Sequence, residues 1–218
     1  WVPEGGFVEL GVKQGTASSM IANTIQRQGY LFDTWTTFPS YAKQDLGEDA
    51  VIQKGYRAHK WSEQKLKKRI KNGKSTYKDC KDHLVKHGAY AICQMIKGDI
   101  AETVPQFVAK NPDVKISMIH VDTNLYESTK IGIERLWPLV VPGGVVLVQD
   151  AGDKKLGQEI DDFGRVWIGV KTAVNEFCEG RTDLSACGKF SLSAYCIVKT
   201  SKFDFSKLLK YVDQEVLL

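Results

Sequence analysis

The sequence of 218 residues is poor in the features that mark several protein classes. No apolar run approaches the ~20 residues of a membrane span, which argues against a membrane protein. No CxxC pair occurs. The five cysteines (Cys80, Cys93, Cys178, Cys187, Cys196) are odd in number and scattered, so reduced thiols in a cytoplasmic protein are the simplest expectation. Charge of one sign is scarce: the net charge of +4 is too small to argue for nucleic acid. No signal peptide is visible, and the chain starts at Trp1 rather than methionine, as expected if a segment precedes it. Internal repeats and low-complexity tracts are absent. So is G-x-G-x-x-G, which lets a backbone approach a pyrophosphate. No Walker pattern occurs either.

Hydrophobic residues make up 43% of the chain and charged residues 26%, ordinary values for a globular protein with a real core. "GGFVELGV" (5–12) reads as a buried strand. "TASSMIANTIQRQG" reads as a helix, with Thr16 as its cap and Gly29 as its stop. Further strands are expected at 30–35, 89–98, "VKISMIHVDT", "GGVVLVQD" and "FSLSAYCIVKT", the last alone or as half of a hairpin. Helices are expected in two pieces over 60–88, at "TVPQFVAKN" with Pro105 near its start, at 128–138, at "GVKTAVNEFCEG", and at the end of the chain with Ser206 as cap. Strands apolar throughout and separated by helices predict an α/β fold: a doubly wound, mostly parallel sheet covered on both faces. One domain over 1–200 is expected, with insertions at about 36–88 and 151–166, and an amphipathic helix over 201–218. That helix would cover a sheet edge or make a homo-oligomer contact.

A doubly wound sheet binds its ligand at the carboxyl ends of its strands. Here each of the first five strands ends in or beside a carboxylate: Glu9, Asp33, Asp99, Asp122 and Asp150. Desolvated carboxylates are costly without partners. A ligand with ribose hydroxyls, an amine and a positive centre would supply them. The first turn, Gly11-Val-Lys-Gln-Gly15, suits a nucleoside without phosphates, and S-adenosylmethionine is such a ligand. Each acid has a plainer reading. Asp122 could cap the following helix, Asp33 could form a turn, Asp99 could be loop, and Gln149 and Asp150 could be turn residues. Glu9 inside a strand wants a partner in any case. His120 shares a strand face with Asp122 and is expected deeper in the core. His83 and His87, spaced i, i+4, could grip zinc but read better as an exposed helix face. "KLKKRIKNGK" (65–74) suggests an anionic partner but reads better as a solvated face, or as part of a lid over the acceptor. The polar segment 151–166 is the better lid candidate.

"FVELGVKQGTASSM", "LFDTW", "KGDIAETVP", "IHVDTNLYEST", "LWPLVVPGGVVLVQD" and "WIGVKTAVNEF" together resemble the macrocin O-methyltransferase family. The resemblance implies a Rossmann-like class I methyltransferase that moves a methyl group from S-adenosylmethionine to a hydroxyl of a small polyhydroxylated acceptor, a sugar, saccharide or natural product. It implies Glu9, Gly11 and Gly15 at the methionine part of the cofactor, Asp33 at the ribose and Asp99 near the adenine. It implies Asp122 and Asp150 as catalytic, Asp122 also at the cofactor, and Asp122, Gln149 and Asp150 around a magnesium ion. Two departures stand out: Asn124 replaces the second aspartate of D-x-D, and Gln149 replaces one of an acidic pair. A relative that binds cofactor without metal-assisted catalysis is the alternative, as is another acceptor class. No Pro-Pro occurs, which disfavours the exocyclic-amine methylation of nucleic acid.

Overall fold

The computed structural model describes residues 3–36, 42–46, 75–151, 167–189 and 194–200. Its strands are the apolar runs: β1 (Gly6–Leu10), β2 (Gly29–Asp33), β3 (Cys93–Lys97), β4 (Ile116–Val121), β5 (Val140–Val148), β6 (Leu184–Lys189) and β7 (Tyr195–Lys199). They form one sheet in the order β3-β2-β1-β4-β5-β7-β6. Strands β1 to β5 are parallel, and β7 runs antiparallel to both β5 and β6. The winding direction reverses between β1 and β4, which opens a crevice there at the carboxyl ends.

The helices are α1 (Thr16–Ile25), α2 (Lys43–Leu46), α3 (Tyr77–Lys86), α4 (Ile100–Lys110), α5 (Tyr126–Leu136) and α6 (Ile168–Cys178). Side chains alternate across the sheet, so its two faces feed two cores. On one face Phe7 and Leu31 pack with Ala22 of α1 and with Cys80 and Leu84 of α3. On the other, Val8, Leu10, Ile119 and Val146 pack with Val104 of α4, Ile133 of α5 and Val174 of α6. Each fully buried aliphatic side chain contributes roughly 2 kcal/mol.

Several boundaries differ from the sequence expectation, each for a local reason. Helix α1 ends at Ile25, because Gln26 takes the left-handed conformation (φ 50°) and Gly29 already belongs to β2. Helix α4 starts at Ile100, leaving Pro105 inside it, because the Asp99 side chain caps the Ala101 amide. Helix α5 ends at Leu136, and Pro138 sits in the short 3-10 turn Trp137–Leu139. The expected strand at 89–98 begins with a 3-10 turn, Tyr90–Ile92. The hairpin reading of the last strand holds, with β6 as its partner. Helix α3 is the second of the two expected pieces, held by a reciprocal Thr76–Asp79 capping box. The first piece, the run 65–74, the segment 152–166 and the helix over 201–218 with Ser206 lie outside the described residues.

Candidate active site

The parallel pairing continues one residue past the strands. Gly11 N–H donates to the Phe32 carbonyl (2.9 Å), Asp122 N–H to Leu10 (2.8 Å), Gln149 N–H to Val121 (2.8 Å) and Gly98 N–H to Asp33 (3.0 Å). The four loop starts are thereby tied into one rim. Gly11 has φ 85°, and a Cβ there would lie 2.2 Å from the Asp122 carbonyl oxygen. Only glycine lets β1 and β4 approach this closely. Gly15 (φ 81°) immediately precedes α1, where a Cβ would press on Cys80 Sγ at 3.0 Å. Gly15, rather than the expected Thr16, is therefore the cap position, and no side chain caps α1. Asp33 closes the turn from β2: its two oxygens accept the Lys13 and Trp35 amides, each at 2.7 Å. The Trp35 indole N–H then donates to the Lys13 carbonyl (3.0 Å).

Beneath the rim lies a buried polar chain. Glu9 is only 2% exposed. One of its oxygens accepts the Ser18 hydroxyl, and the other lies 2.9 Å from His120 Nδ1. Burial opposes a charge on His120, but the hydrogen bond and charge of Glu9, helped by Asp122, prevail and raise its pKa. His120 sits in the core as expected. Its Nε2 lies 3.4 Å from the Gln149 side-chain amide. A charged imidazole donates at both nitrogens, so the oxygen end of that amide suits the contact.

Asp99 is the N-cap of α4, its carboxylate accepting the Ala101 amide at 2.9 Å. Asp122 does not cap α5. That helix has Leu125 at its cap position, and Asp45 of α2 accepts the Tyr126 amide instead (2.8 Å). Burial raises the pKa of Asp45, against the pull of the Tyr126 and Ala42 amides. Asp45 bears on the rim and has no sequence signal, since it sits in a stretch without a motif. Asp150 follows Gln149 with φ 61°, and its carbonyl accepts the Trp167 amide (2.9 Å). Of the five described non-glycine residues with positive φ, Lys13, Trp35, Asn124 and Asp150 lie at this rim. Backbone held in sparsely populated regions clusters at functional sites. Asn124 (φ 63°) is a residue type that tolerates this conformation.

Nothing among the described residues supports a magnesium ion at Asp122, Gln149 and Asp150. The Gln149 amide is turned onto His120, and His120 is held towards its cationic form beside it. Among the described residues no group of three histidine, cysteine, aspartate or glutamate side chains could hold a metal. His83, one of the pair considered for zinc, instead contacts the Ser19 hydroxyl (3.3 Å) and stacks on His87. An acid-lined rim with no phosphate-binding turn does fit a cationic nucleoside. No helix among the described residues is long and apolar enough to cross a membrane.

Comparison with known proteins agrees with this geometry. Residues 8–151 match the family model described as a methyltransferase domain. Among solved structures, the O-methyltransferase NovP superposes with a TM-score of 0.64 at 22% identity, over 92% of this chain and 73% of that one. CalS11, a calicheamicin methyltransferase, gives 0.55 at 20% identity, over 89% and 72%. TomG from Streptomyces achromogenes, an O-methyltransferase of tomaymycin synthesis solved with S-adenosylmethionine, gives 0.54 at 14% identity, over 90% and 73%. At these identities the likeness is one of fold. A search of curated proteins finds no significant match. The family match spans more than half of the chain and covers the whole rim from Glu9 to Asp150, so the chain belongs to the methyltransferase domain family and is an S-adenosylmethionine-dependent methyltransferase.

Proposed function

We propose that this methyltransferase acts on a hydroxyl of a small polyhydroxylated acceptor, in the manner of the macrocin-type O-methyltransferases. The observation that carries the reading is the row of carboxylates Asp99, Asp33, Asp122 and Asp150 at the ends of neighbouring parallel strands. Bound S-adenosylmethionine supplies an electrophilic methyl on a sulfonium. Gly11 and Gly15 hold the turn that receives its methionine part. Asp33 takes the ribose diol: a carboxylate accepts about four hydrogen bonds, and the Lys13 and Trp35 amides with the Thr34 hydroxyl leave capacity on Oδ2. Asp99 borders the adenine from the start of α4. Glu9 works one layer below, holding His120 and, through it, Gln149.

The remaining acids face the acceptor. A sugar hydroxyl is a poor nucleophile until its proton leaves. Asp122 or Asp150 accepts that proton as the oxygen attacks the methyl carbon in line and the carbon–sulfur bond breaks. Alignment of the two partners supplies most of the acceleration. No step is assigned to a metal.

Calorimetric titration with S-adenosylhomocysteine and with NADH tests the cofactor assignment. Binding of the first alone is expected, weakened at least ~10-fold in Asp33→Asn, the loss of one charged hydrogen-bonding partner. Binding of NADH alone would overturn it. Methyl transfer screened over sugars, capped saccharides and phenols tests the acceptor, and transfer only to phenols would sink the polyhydroxylated class.

A further inference from the structure

To one side of the rim, the end of α6 and the edge strand β6 bring two thiols together. Helix α6 ends at Cys178. The chain turns through Gly180 (φ 68°) and enters β6 at Leu184, which returns Cys187 to the helix end. The two Sγ atoms lie 2.9 Å apart, and the Tyr195 hydroxyl of β7 is 3.1 Å from Cys187 Sγ. That separation is closer than non-bonded heavy atoms ordinarily pack. Reaching a covalent length of ~2.05 Å takes less than about one ångström of movement. Cys187 is exposed and Cys178 half-buried, so both are open to a small reagent. Methyl transfer at the rim uses neither.

We infer that Cys178 and Cys187 form a dithiol redox site that closes to a disulfide by exchange with a low-molecular-weight disulfide such as oxidised glutathione. The Cys187 thiolate attacks one sulfur of the glutathione disulfide and releases one glutathione thiolate. Cys178 gives its proton to solvent and attacks the Cys187 sulfur of the mixed disulfide, expelling the second glutathione. Two protein thiols are oxidised to one disulfide, and one glutathione disulfide is reduced to two thiols. Exposure orders these roles: Cys187 is exposed and meets the reagent first, while Cys178 lies half-buried behind it. Contact with Cys178, helped by Tyr195 and against burial, lowers the pKa of the Cys187 thiol, while the same contact and burial push Cys178 up. A thiol that ionises easily attacks first, and its neighbour resolves the intermediate. The other cysteines do not compete: burial pushes Cys80 to about 12, and Cys93 and Cys196 to about 11.

The test incubates the reduced full chain with oxidised glutathione at neutral pH, then counts free thiols after denaturation and maps peptides by mass spectrometry. Loss of two thiols and a cross-link between the peptides holding Cys178 and Cys187 are expected. Cys178→Ser should stop at a glutathione adduct on Cys187, and Cys187→Ser should keep all its remaining thiols. The wild-type map decides the matter even if a variant folds poorly. An unchanged thiol count, a lasting glutathione adduct on wild-type Cys187, or a link to Cys196 would each overturn the proposal.

Discussion

The two ends of the sheet use charge in opposite ways. At the amino end, Arg181 lies over the rings of Phe177 (4.4 Å) and Trp137 (5.3 Å) and pairs with Asp183. Trp137 donates to the same carboxylate (2.6 Å), and Lys199 donates to the carbonyls of Trp137 and Val140. Opposite charges meet on aromatic faces there, so the charge of that end is closed on itself. At the carboxyl end the side chains of Asp33 and Asp99 accept backbone amides instead. A carboxylate satisfied by an amide keeps its charge and its spare lone pairs, whereas one paired to arginine is largely neutralised. The difference separates a closed end from a receptive one.

Substitutions at the two ends should therefore split binding from stability. The largest effect belongs to Gly11→Ala, whose methyl would strike the Asp122 carbonyl. It should cost about 4 kcal/mol in denaturant unfolding and abolish S-adenosylhomocysteine binding by calorimetry. At the closed end, Trp137→Ala should cost about 3 kcal/mol by the same unfolding measurement. Its affinity for S-adenosylhomocysteine should stay within a factor of two, and a tenfold loss would erase the distinction between the ends.

Glu9→Gln comes next, at about 2 kcal/mol, because a buried pair loses its anion but keeps a hydrogen-bond acceptor. The pKa of His120 is raised in the fold above its ordinary 6.5. Its contribution to stability is therefore fully present below 6.5 and lost as pH rises through the folded value. Wild-type stability should fall over that window, and the Glu9→Gln profile should be flatter. The smallest effect is that of Asp183→Asn. Arg181, with help from Trp137, lowers the Asp183 carboxyl to about 2, but 44% of its side chain is exposed and solvent screens the pair. A cost below about 1 kcal/mol is expected at neutral pH. The contribution should be present above 3.8 and fade as acid titration falls through about 2.

What could be read from the sequence follows from how far apart partners lie along the chain. The order of strands and helices came from local periodicity, and the acids at 33, 99, 122 and 150 from their place just past each apolar run. The Glu9–His120 contact spans 111 residues and the Asp45–Tyr126 cap spans 81. No local pattern encodes either, so the histidine partner of Glu9 and the role of Asp45 both went unmarked. The contact of Gln149 with His120 was hidden for the same reason, since the two lie on different strands. Thr16 looked like the cap because hydroxyls usually cap helices, but the close approach of α3 reserves that position for Gly15.

Because main-chain pairing carries on beyond the strands at Gly11, Gly98, Asp122 and Gln149, the rim is anchored by the sheet rather than by the segments that leave it. A ligand therefore meets a rim already set by main-chain pairing, and binding costs little backbone ordering there.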